Sequence, residues 1–162
     1  MNSYKVNCDL GSLAESASSI SKSILSIPSS SLSIGLIGEL GAGKTTFTKL
    51  LLKALGVEEL VSSPTYVLQQ NYSTKELEIE HWDIYRLNGL PSELLDPPES
   101  NVVRIIEWAN RASAYQDEID LEISLSILSE GFRQMELLSH TKRGQAVLSA
   151  SQLLLDQSQI SE

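Results

Sequence analysis

The stretch Gly38–Thr46, GELGAGKTT, has the residue types and spacing of a phosphate-binding loop, G-x-x-x-x-G-K-[ST]. In such a loop, glycines let the backbone curl so that successive N–H groups point at a phosphate, and the positive end of the following helix adds to them. Lys44 would reach the β- and γ-phosphates of a nucleotide, and the Thr45 hydroxyl would bind Mg²⁺. The residues expected to contact the nucleotide are Gly41, Ala42, Gly43, Lys44, Thr45 and Thr46.

The residues on either side of this loop have the pattern that it requires. The apolar run Leu32–Ile37 before it predicts a buried strand. After it, apolar residues recur at the spacing of one helical face, and Gly56 stands where such a helix would end. These residues are Phe47, Leu50, Leu51, Ala54 and Leu55. Strand, loop and helix in this order favour a real phosphate site over a chance match.

An acidic residue stands at the expected end of another strand, where α/β proteins gather nucleotide and metal sites. It is Asp83, within His81-Trp82-Asp83-Ile84-Tyr85-Arg86. Alternation along a strand places His81, Asp83 and Tyr85 on one face. We expect Asp83 to hold Mg²⁺ or its water, the alternative being a solvated surface aspartate. For His81, a hydrogen-bonded structural role is favoured over a catalytic one.

Two further short motifs could complete a nucleotide site. Glu107-Trp108 follows the apolar run 102–106, which predicts a buried strand. Glu107 could bind Mg²⁺ or orient the attacking water, or simply begin a helix, and Trp108 could stack on the nucleotide or lie in the core. Thr65, in Ser62-Ser63-Pro64-Thr65-Tyr66, lies where a nucleotide-sensing loop would follow the phosphate-loop helix, although Ser-Pro-Thr is usually only a turn.

The remaining pattern predicts an α/β fold with a mixed sheet. Two pairs of strand-like runs have hairpin-length connections, which makes part of the sheet antiparallel around a parallel core. The expected elements are a first strand at Tyr4–Cys8, a helix over Leu13–Ile27, hairpins of Tyr66–Tyr72 with Leu77–Tyr85 and of Ile119–Leu128 with Gln134–Ser139, and a closing helix over Ala146–Leu154. The fold class is therefore a single P-loop NTPase-type domain whose mixed sheet is flanked by helices.

Composition limits the class of protein and partner. The 162 residues suit one domain, residues 1–162. Net charge is −9 and the 12 basic residues form no run, so direct binding of DNA or bare RNA is not expected. The single cysteine, Cys8, excludes an internal disulfide and is expected to be a small buried residue. No signal-like segment and no apolar run near ~18 residues occur, so we expect a cytoplasmic protein without membrane association.

Four motifs, in this order and in a chain of this length, resemble those of the TsaE family, the bacterial ATPases of tRNA threonylcarbamoyladenosine biosynthesis. The motifs are Gly38–Thr46, Ser63-Pro64-Thr65-Tyr66, His81-x-Asp83-x-Tyr85-Arg86-Leu87 and Ile106-Glu107-Trp108. The resemblance implies a P-loop ATPase that binds ATP with Mg²⁺, hydrolyses it slowly to ADP and is weak alone. It would act with the TsaB and TsaD proteins, which modify the adenosine next to the anticodon, and would meet tRNA only through that complex.

The same resemblance implies roles for matching residues. Lys44 would hold phosphates, with Thr45 and Glu107 binding Mg²⁺ directly. Asp83 would be the acidic residue of the second nucleotide motif. Our own expectation is that Glu107 is the closer metal ligand and that Asp83 reaches the metal through water. Thr65 would be the switch threonine, and Arg133 a nucleotide contact on the last hairpin. Two segments depart from the family pattern: residues 88–101 look shorter than usual, and Ala109-Asn110-Arg111 replaces a Pro-Glu-Arg-like continuation.

Two other classes of phosphate-loop protein are alternatives. A small-molecule kinase would close a basic segment over the transferred phosphate, and residues 88–101 contain no lysine or arginine. A GTP-controlled switch would need a guanine-specific Asn-Lys-x-Asp element, which the sequence lacks. The ATPase is therefore the preferred hypothesis, with the kinase as the alternative.

Overall fold

A seven-stranded sheet forms the centre of the computed structural model, which describes residues 2–27, 31–61 and 68–160. The strands are β1 (Ser3–Cys8), β2 (Leu32–Ile37), β3 (Gln69–Ser73), β4 (Glu78–Asp83), β5 (Val102–Glu107), β6 (Leu121–Ser129) and β7 (Phe132–Ser139). The helices are α1 (Leu10–Ser26), α2 (Lys44–Ala54), the short α3 (Ser92–Leu95) and α4 (Lys142–Ile160), with 3₁₀ turns at Ala109–Arg111 and Ser113–Glu118.

The sheet is mixed, as the two hairpins predict. Its order is β1-β7-β6-β2-β5-β4-β3. Strand β2 pairs in parallel with β5 and β6, and β5 pairs in parallel with β4. The pairs β3–β4, β6–β7 and β1–β7 are antiparallel. Because β2, β4 and β5 are parallel neighbours, their carboxyl ends meet at one edge of the sheet.

The two faces of the sheet carry separate apolar clusters. On one face, α1, α2 and α4 cover the larger core, which includes Ile34, Phe47 and Ile105. On the other face, the chain between β4 and β6 covers a smaller cluster that includes Trp82 and Tyr115. Alternation along each strand therefore sends successive residues into different surroundings.

Local signals explain where the first helices begin and end. Helix α1 begins at a capping box, in which the Asp9 carboxylate accepts from the Ser12 N–H at 2.9 Å and the Ser12 hydroxyl accepts from the Asp9 N–H at 2.9 Å. Helix α2 ends before Gly56, whose φ of +100° is the left-handed conformation that glycine adopts without strain. Cys8 is buried, as predicted.

The structure corrects several sequence-predicted boundaries. Strand β4 ends at Asp83, so Tyr85 lies beyond the alternating strand instead of on its face. Strand β3 begins at Gln69, after Leu68 with a φ of +61°, whereas the predicted start, Tyr66, lies outside the described residues. The short helices after β4 and β5 have too few residues to show a helical period, and the sequence did not reveal them. Within the described part of the chain, no helix is both long and apolar enough to cross a bilayer.

Candidate nucleotide-binding site

The phosphate-loop stretch lies between β2 and α2, at the sheet edge where the parallel strands end. Two of its glycines are required by the backbone. Gly43 precedes α2 with a φ of +109°, a left-handed conformation that other residues rarely adopt. At Gly38, an added Cβ would lie 2.5 Å from the Leu125 carbonyl oxygen, closer than any side chain tolerates. The loop is therefore held against β6 as well as between β2 and α2.

Lys44, the first residue of α2, is almost completely buried. Its Nζ donates to the carbonyl oxygens of Gly38 at 2.6 Å and Glu39 at 2.9 Å, and lies 3.6 Å from the ring centroid of Trp108. Burial lowers the pKa of the ammonium, and the nearby carboxylates, with Glu107 foremost, offset only part of this effect. An anion bound in the loop would supply the negative charge that is needed to compensate the buried ammonium.

A chain of hydrogen bonds connects the loop to the ends of β5 and β4. The Thr45 hydroxyl donates to Oε2 of Glu107 at 2.8 Å. The other oxygen, Oε1, lies 2.8 Å from Nε2 of His81. Glu107 is only 1% exposed. Asp83, opposite Glu107 in the β4–β5 register, is also buried, and its Oδ1 accepts from the Tyr85 N–H at 3.0 Å. The two predicted acidic residues are thus neighbours.

Lys44, Thr45, Asp83 and Glu107 line one cleft of about 460 Å³. Its lining includes Leu40, Gly41, Gly43, Lys44, Thr45, Thr46, Asp83, Tyr85, Arg86, Glu107 and Trp108. Trp108 has a φ of +63°, and its ring centroid lies 4.6 Å from that of Tyr85. The tryptophan ring lines the cleft beside Lys44 and also packs against the smaller apolar cluster.

A second, smaller cleft of about 220 Å³ lies on the other side of the loop. Arg133 on β7 lines it, together with Leu10 at the start of α1. The Arg133 guanidinium donates to the carbonyl oxygens of Ala42 at 3.0 Å and Gly41 at 3.3 Å. The structure therefore places Arg133 against the loop, and the nucleotide contact that the resemblance implies stays a prediction.

The donor atoms of the first cleft suit Mg²⁺. Thr45, Asp83 and Glu107 offer oxygen atoms, which are the ligands that Mg²⁺ prefers. In the described ranges, no group of three or more His, Cys, Asp or Glu side chains could hold a metal ion alone. Mg²⁺ commonly binds through one or two carboxylates together with substrate phosphates, so the residues present fit a metal that arrives with a nucleotide.

One predicted site residue falls outside this description and one contact was missed. Thr65, the expected switch threonine, lies outside the described residues. The hydrogen bond between His81 and Glu107 was not predicted, because it joins two strands whose relative register the sequence does not specify. The one available signal was that His81 and Asp83 alternate together at the end of a strand.

Comparison with known proteins identifies the family. The family model for "Threonylcarbamoyl adenosine biosynthesis protein TsaE" matches residues 11–135. The chain belongs to the TsaE family. The TsaE protein of Haemophilus influenzae is 34% identical over 120 residues, which cover 71% of this chain and 75% of that protein. The TsaE protein of Treponema pallidum is 36% identical over 105 residues, 62% of this chain and 76% of that protein. Both are named as tRNA threonylcarbamoyladenosine biosynthesis proteins.

The fold of this TsaE-family chain is also found in a solved structure. It resembles the crystal structure of Bacillus subtilis YdiB with a TM-score of 0.71 and 21% sequence identity, over 94% of this chain and 95% of that one. The predicted P-loop NTPase-type fold with a mixed sheet is thereby confirmed. Family and fold together support nucleotide hydrolysis as the general class of activity.

Proposed function

We propose that this chain is a Mg²⁺-dependent ATPase that acts with TsaB and TsaD in forming threonylcarbamoyladenosine next to the anticodon of tRNA. The observation that carries the proposal is the contact between Thr45 of the phosphate loop and the buried Glu107 carboxylate. This contact places a carboxylate and a hydroxyl side by side beside Lys44, as a nucleotide with its metal would need. Membership of the TsaE family supports the tRNA pathway.

The proposal gives roles to the loop, to the acidic residues of the cleft and to Arg133. Lys44 would exchange its present carbonyl partners for phosphate oxygens, and backbone N–H groups between Gly41 and Thr46 would donate to the same phosphates. Thr45 and Glu107 would hold Mg²⁺, with Asp83 reaching it through water, and the metal would supply positive charge where the phosphates are most negative. Arg133 would contact the nucleotide from the second cleft, where it already touches the loop.

The surroundings of the cleft support an activity that is weak without partners. Leu40, on the rim, is 78% exposed, and Tyr85 is 37% exposed. Water therefore reaches the place where the phosphates would lie, whereas efficient phosphoryl transfer benefits from its exclusion. We propose that TsaB and TsaD cover this rim. A net charge of −9 favours such protein contacts over direct tRNA binding, and the single seven-stranded sheet supports residues 1–162 acting as one domain.

The test compares two site variants with two matched controls. Lys44→Ala and Glu107→Ala remove the loop lysine and the proposed metal ligand. Lys49→Ala changes an exposed lysine on the same helix, and Glu76→Ala an exposed glutamate in the β3–β4 turn. Each protein is mixed with TsaB, TsaD, tRNA, ATP with Mg²⁺ and a donor of the threonylcarbamoyl group, and both modified adenosine and free phosphate are measured over many turnovers.

We expect both activities to be lost in the two site variants and retained in the two controls. Undiminished multi-turnover modification in both site variants would overturn the proposal. Phosphate found in a small-molecule acceptor instead of in solution would favour the kinase alternative. Phosphate release that is as fast without TsaB and TsaD as with them would contradict the dependence on partners.

A further inference from the structure

His81 lies directly behind the proposed metal ligand, outside the cleft. Its side chain is completely buried and is not part of the cleft lining. It therefore has no path to a bound nucleotide except through Glu107, whose Oε1 lies 2.8 Å from its Nε2. This position excludes direct contact with reacting atoms and leaves an action through the carboxylate.

The hydrogen-bond roles in this contact follow from chemistry. As the proposed metal ligand, the Glu107 carboxylate accepts from Thr45 and has no hydrogen to donate, so Nε2 of His81 carries the hydrogen and donates it. The second ring nitrogen, Nδ1, is buried and has no hydrogen-bond partner among the described residues. A histidine kept only to satisfy the core would use both nitrogens, because an unpaired buried polar atom is costly. Within the part of the chain that the structure describes, the one polar contact of the ring is with Glu107.

The geometry of the two strands explains what this contact does. His81 is level with Ile105 in the β4–β5 register, two residues before Glu107 and on the same face of the sheet. Glu107 is thus held from two directions, by His81 through Oε1 and by Thr45 through Oε2. Without His81, the carboxylate keeps one partner and can turn about its last bond, since that torsion is broad. With His81, Oε2 stays at the loop.

We propose that His81 is a positioning residue that holds the Glu107 carboxylate with Oε2 towards Thr45, and so sets the affinity of the nucleotide complex for Mg²⁺. This inference rests on the proposed function, in which Glu107 binds the metal. Groups hydrogen-bonded behind a metal ligand commonly change metal affinity 10–100-fold when they are removed. Nucleotide affinity without metal is set by the loop and is independent of His81.

The experiment measures nucleotide binding with and without Mg²⁺ in four proteins. His81→Leu removes the donor at similar volume, whereas His81→Gln keeps an amide N–H close to the position of Nε2. The native chain and Glu107→Ala complete the set. A fluorescent ATP analogue is titrated in EDTA, and then the Mg²⁺ concentration that gives half of the metal-dependent change is measured. Urea unfolding of each variant reports its folding separately.

In EDTA, we expect the native chain and both His81 variants to bind the analogue alike. The half-saturating Mg²⁺ concentration rises about 10–100-fold in His81→Leu. In His81→Gln it returns to within about threefold of the native value, because the amide donates in place of the ring. A folded His81→Leu with the native Mg²⁺ response would overturn the assignment of His81 while leaving the proposed function in place. A native chain whose binding ignores Mg²⁺, or a Glu107→Ala variant with the native response, would overturn the proposed function and the assignment together.

A measurement on the native chain keeps the proposal testable if His81→Leu does not fold. The chain has two histidines, so the side-chain nitrogen NMR spectrum contains two ring systems, and His81→Gln assigns them. We expect the His81 signal to show a hydrogen on Nε2 that exchanges slowly with solvent and shifts when Glu107 is changed to Gln. A His81 ring without a hydrogen on Nε2 would overturn the proposal, because it could not donate to Glu107.

Discussion

The two faces of the β4–β5 strand pair place similar side chains in opposite situations. On the face towards α2, His81, Asp83 and Glu107 lie beside a cleft and leave Lys44 with incomplete charge compensation. On the other face, Glu80 and Arg104 form an ion pair within the smaller core. Because these residues alternate along the same two strands, the difference lies in what packs above each face and not in the strands themselves.

The Arg104 guanidinium is held by several hydrogen bonds within the protein. The guanidinium donates to Oε2 of Glu80 at 2.6 Å, to the Tyr115 hydroxyl at 2.9 Å and to the carbonyl oxygen of Asp96 at 2.8 Å. The Tyr115 hydroxyl lies 3.2 Å from that of Ser33 on β2. These bonds tie residues 93–96 and the second 3₁₀ turn to the sheet. The network therefore stabilises part of the chain between β4 and β5.

The two buried cations differ in the direction of their pKa shifts. Burial acts to lower the pKa of both Lys44 and Arg104. For Arg104, the hydrogen bonds to Glu80 and Tyr115 outweigh burial, and its pKa is raised. For Lys44, the carboxylates of Glu107 and Asp83 do not outweigh burial, and its pKa is lowered. Arg104, whose charge is compensated by its hydrogen-bond partners, has a structural role. Lys44, whose charge is only partly compensated, indicates a binding site.

Lys44→Met is expected to show the largest difference between a binding face and a structural face. This change should lower kcat/KM for ATP hydrolysis about 10³-fold, or ~4 kcal/mol, because it removes a cation from the transferred phosphate. The free energy of unfolding should stay within about 1 kcal/mol of the native value, since the ammonium is poorly compensated in the fold. Steady-state hydrolysis and urea unfolding measure the two quantities. A loss of stability in proportion to the loss of activity would contradict the assignment of Lys44 to a binding site.

Arg104→Met should give the reverse result. It leaves the buried Tyr115 and the partly exposed Glu80 without their cation, and hydrogen bonds to a charged group contribute about 1.5–3 kcal/mol. Urea unfolding should show this loss, while hydrolysis per folded molecule should remain near native. The control is Lys5→Met, which breaks the exposed Lys5–Glu136 pair and should cost less than about 1 kcal/mol. An Arg104→Met variant as stable as Lys5→Met would refute a structural role for the network.

The sequence predicted the site face better than the opposite face, for a physical reason. The loop is a local motif, and the ends of parallel strands meet at one edge, so Asp83 and Glu107 could be placed near Lys44 without knowing the register. Arg104 meets Glu80 through the β4–β5 register and meets Tyr115 through two short 3₁₀ turns, and none of these produces a sequence period. Trp108, whose backbone is left-handed, directly precedes one of these 3₁₀ turns and is likewise not predicted by a sequence period. The sequence therefore does not predict contacts that depend on segments outside the regular helices and strands.

Tyr115→Phe should produce a smaller effect on the structural face. The change removes one hydroxyl, which accepts from Arg104 and contacts Ser33, and keeps the buried ring. A single buried hydrogen-bonding group is worth about 1–2 kcal/mol, so the free energy of unfolding should fall by that amount. ATP hydrolysis should be unaffected. An Arg104→Met/Tyr115→Phe double variant should lose less than the sum of the two single losses, because both remove the same contact. Simple additivity would show that the hydroxyl acts independently of Arg104.

The smallest expected effect concerns pH and tests the compensation of Lys44 directly. Its pKa is lowered in the fold from the ordinary value of 10.5, so between the two values the unfolded chain binds more protons than the folded chain. The free energy of unfolding contributed by this group must therefore rise as the pH rises through that window. Lys44→Met lacks the group, and subtracting its unfolding free energy from the native value at each pH cancels the titrations that the two chains share. The difference should be constant at neutral pH and should shift in favour of the native chain as the pH approaches 10.5. The same subtraction with Lys49→Met, which changes an exposed lysine of α2, measures the background. A difference that shifted in favour of the variant would mean that the partners of Lys44 outweigh burial, as those of Arg104 do, and would remove the contrast between the two faces.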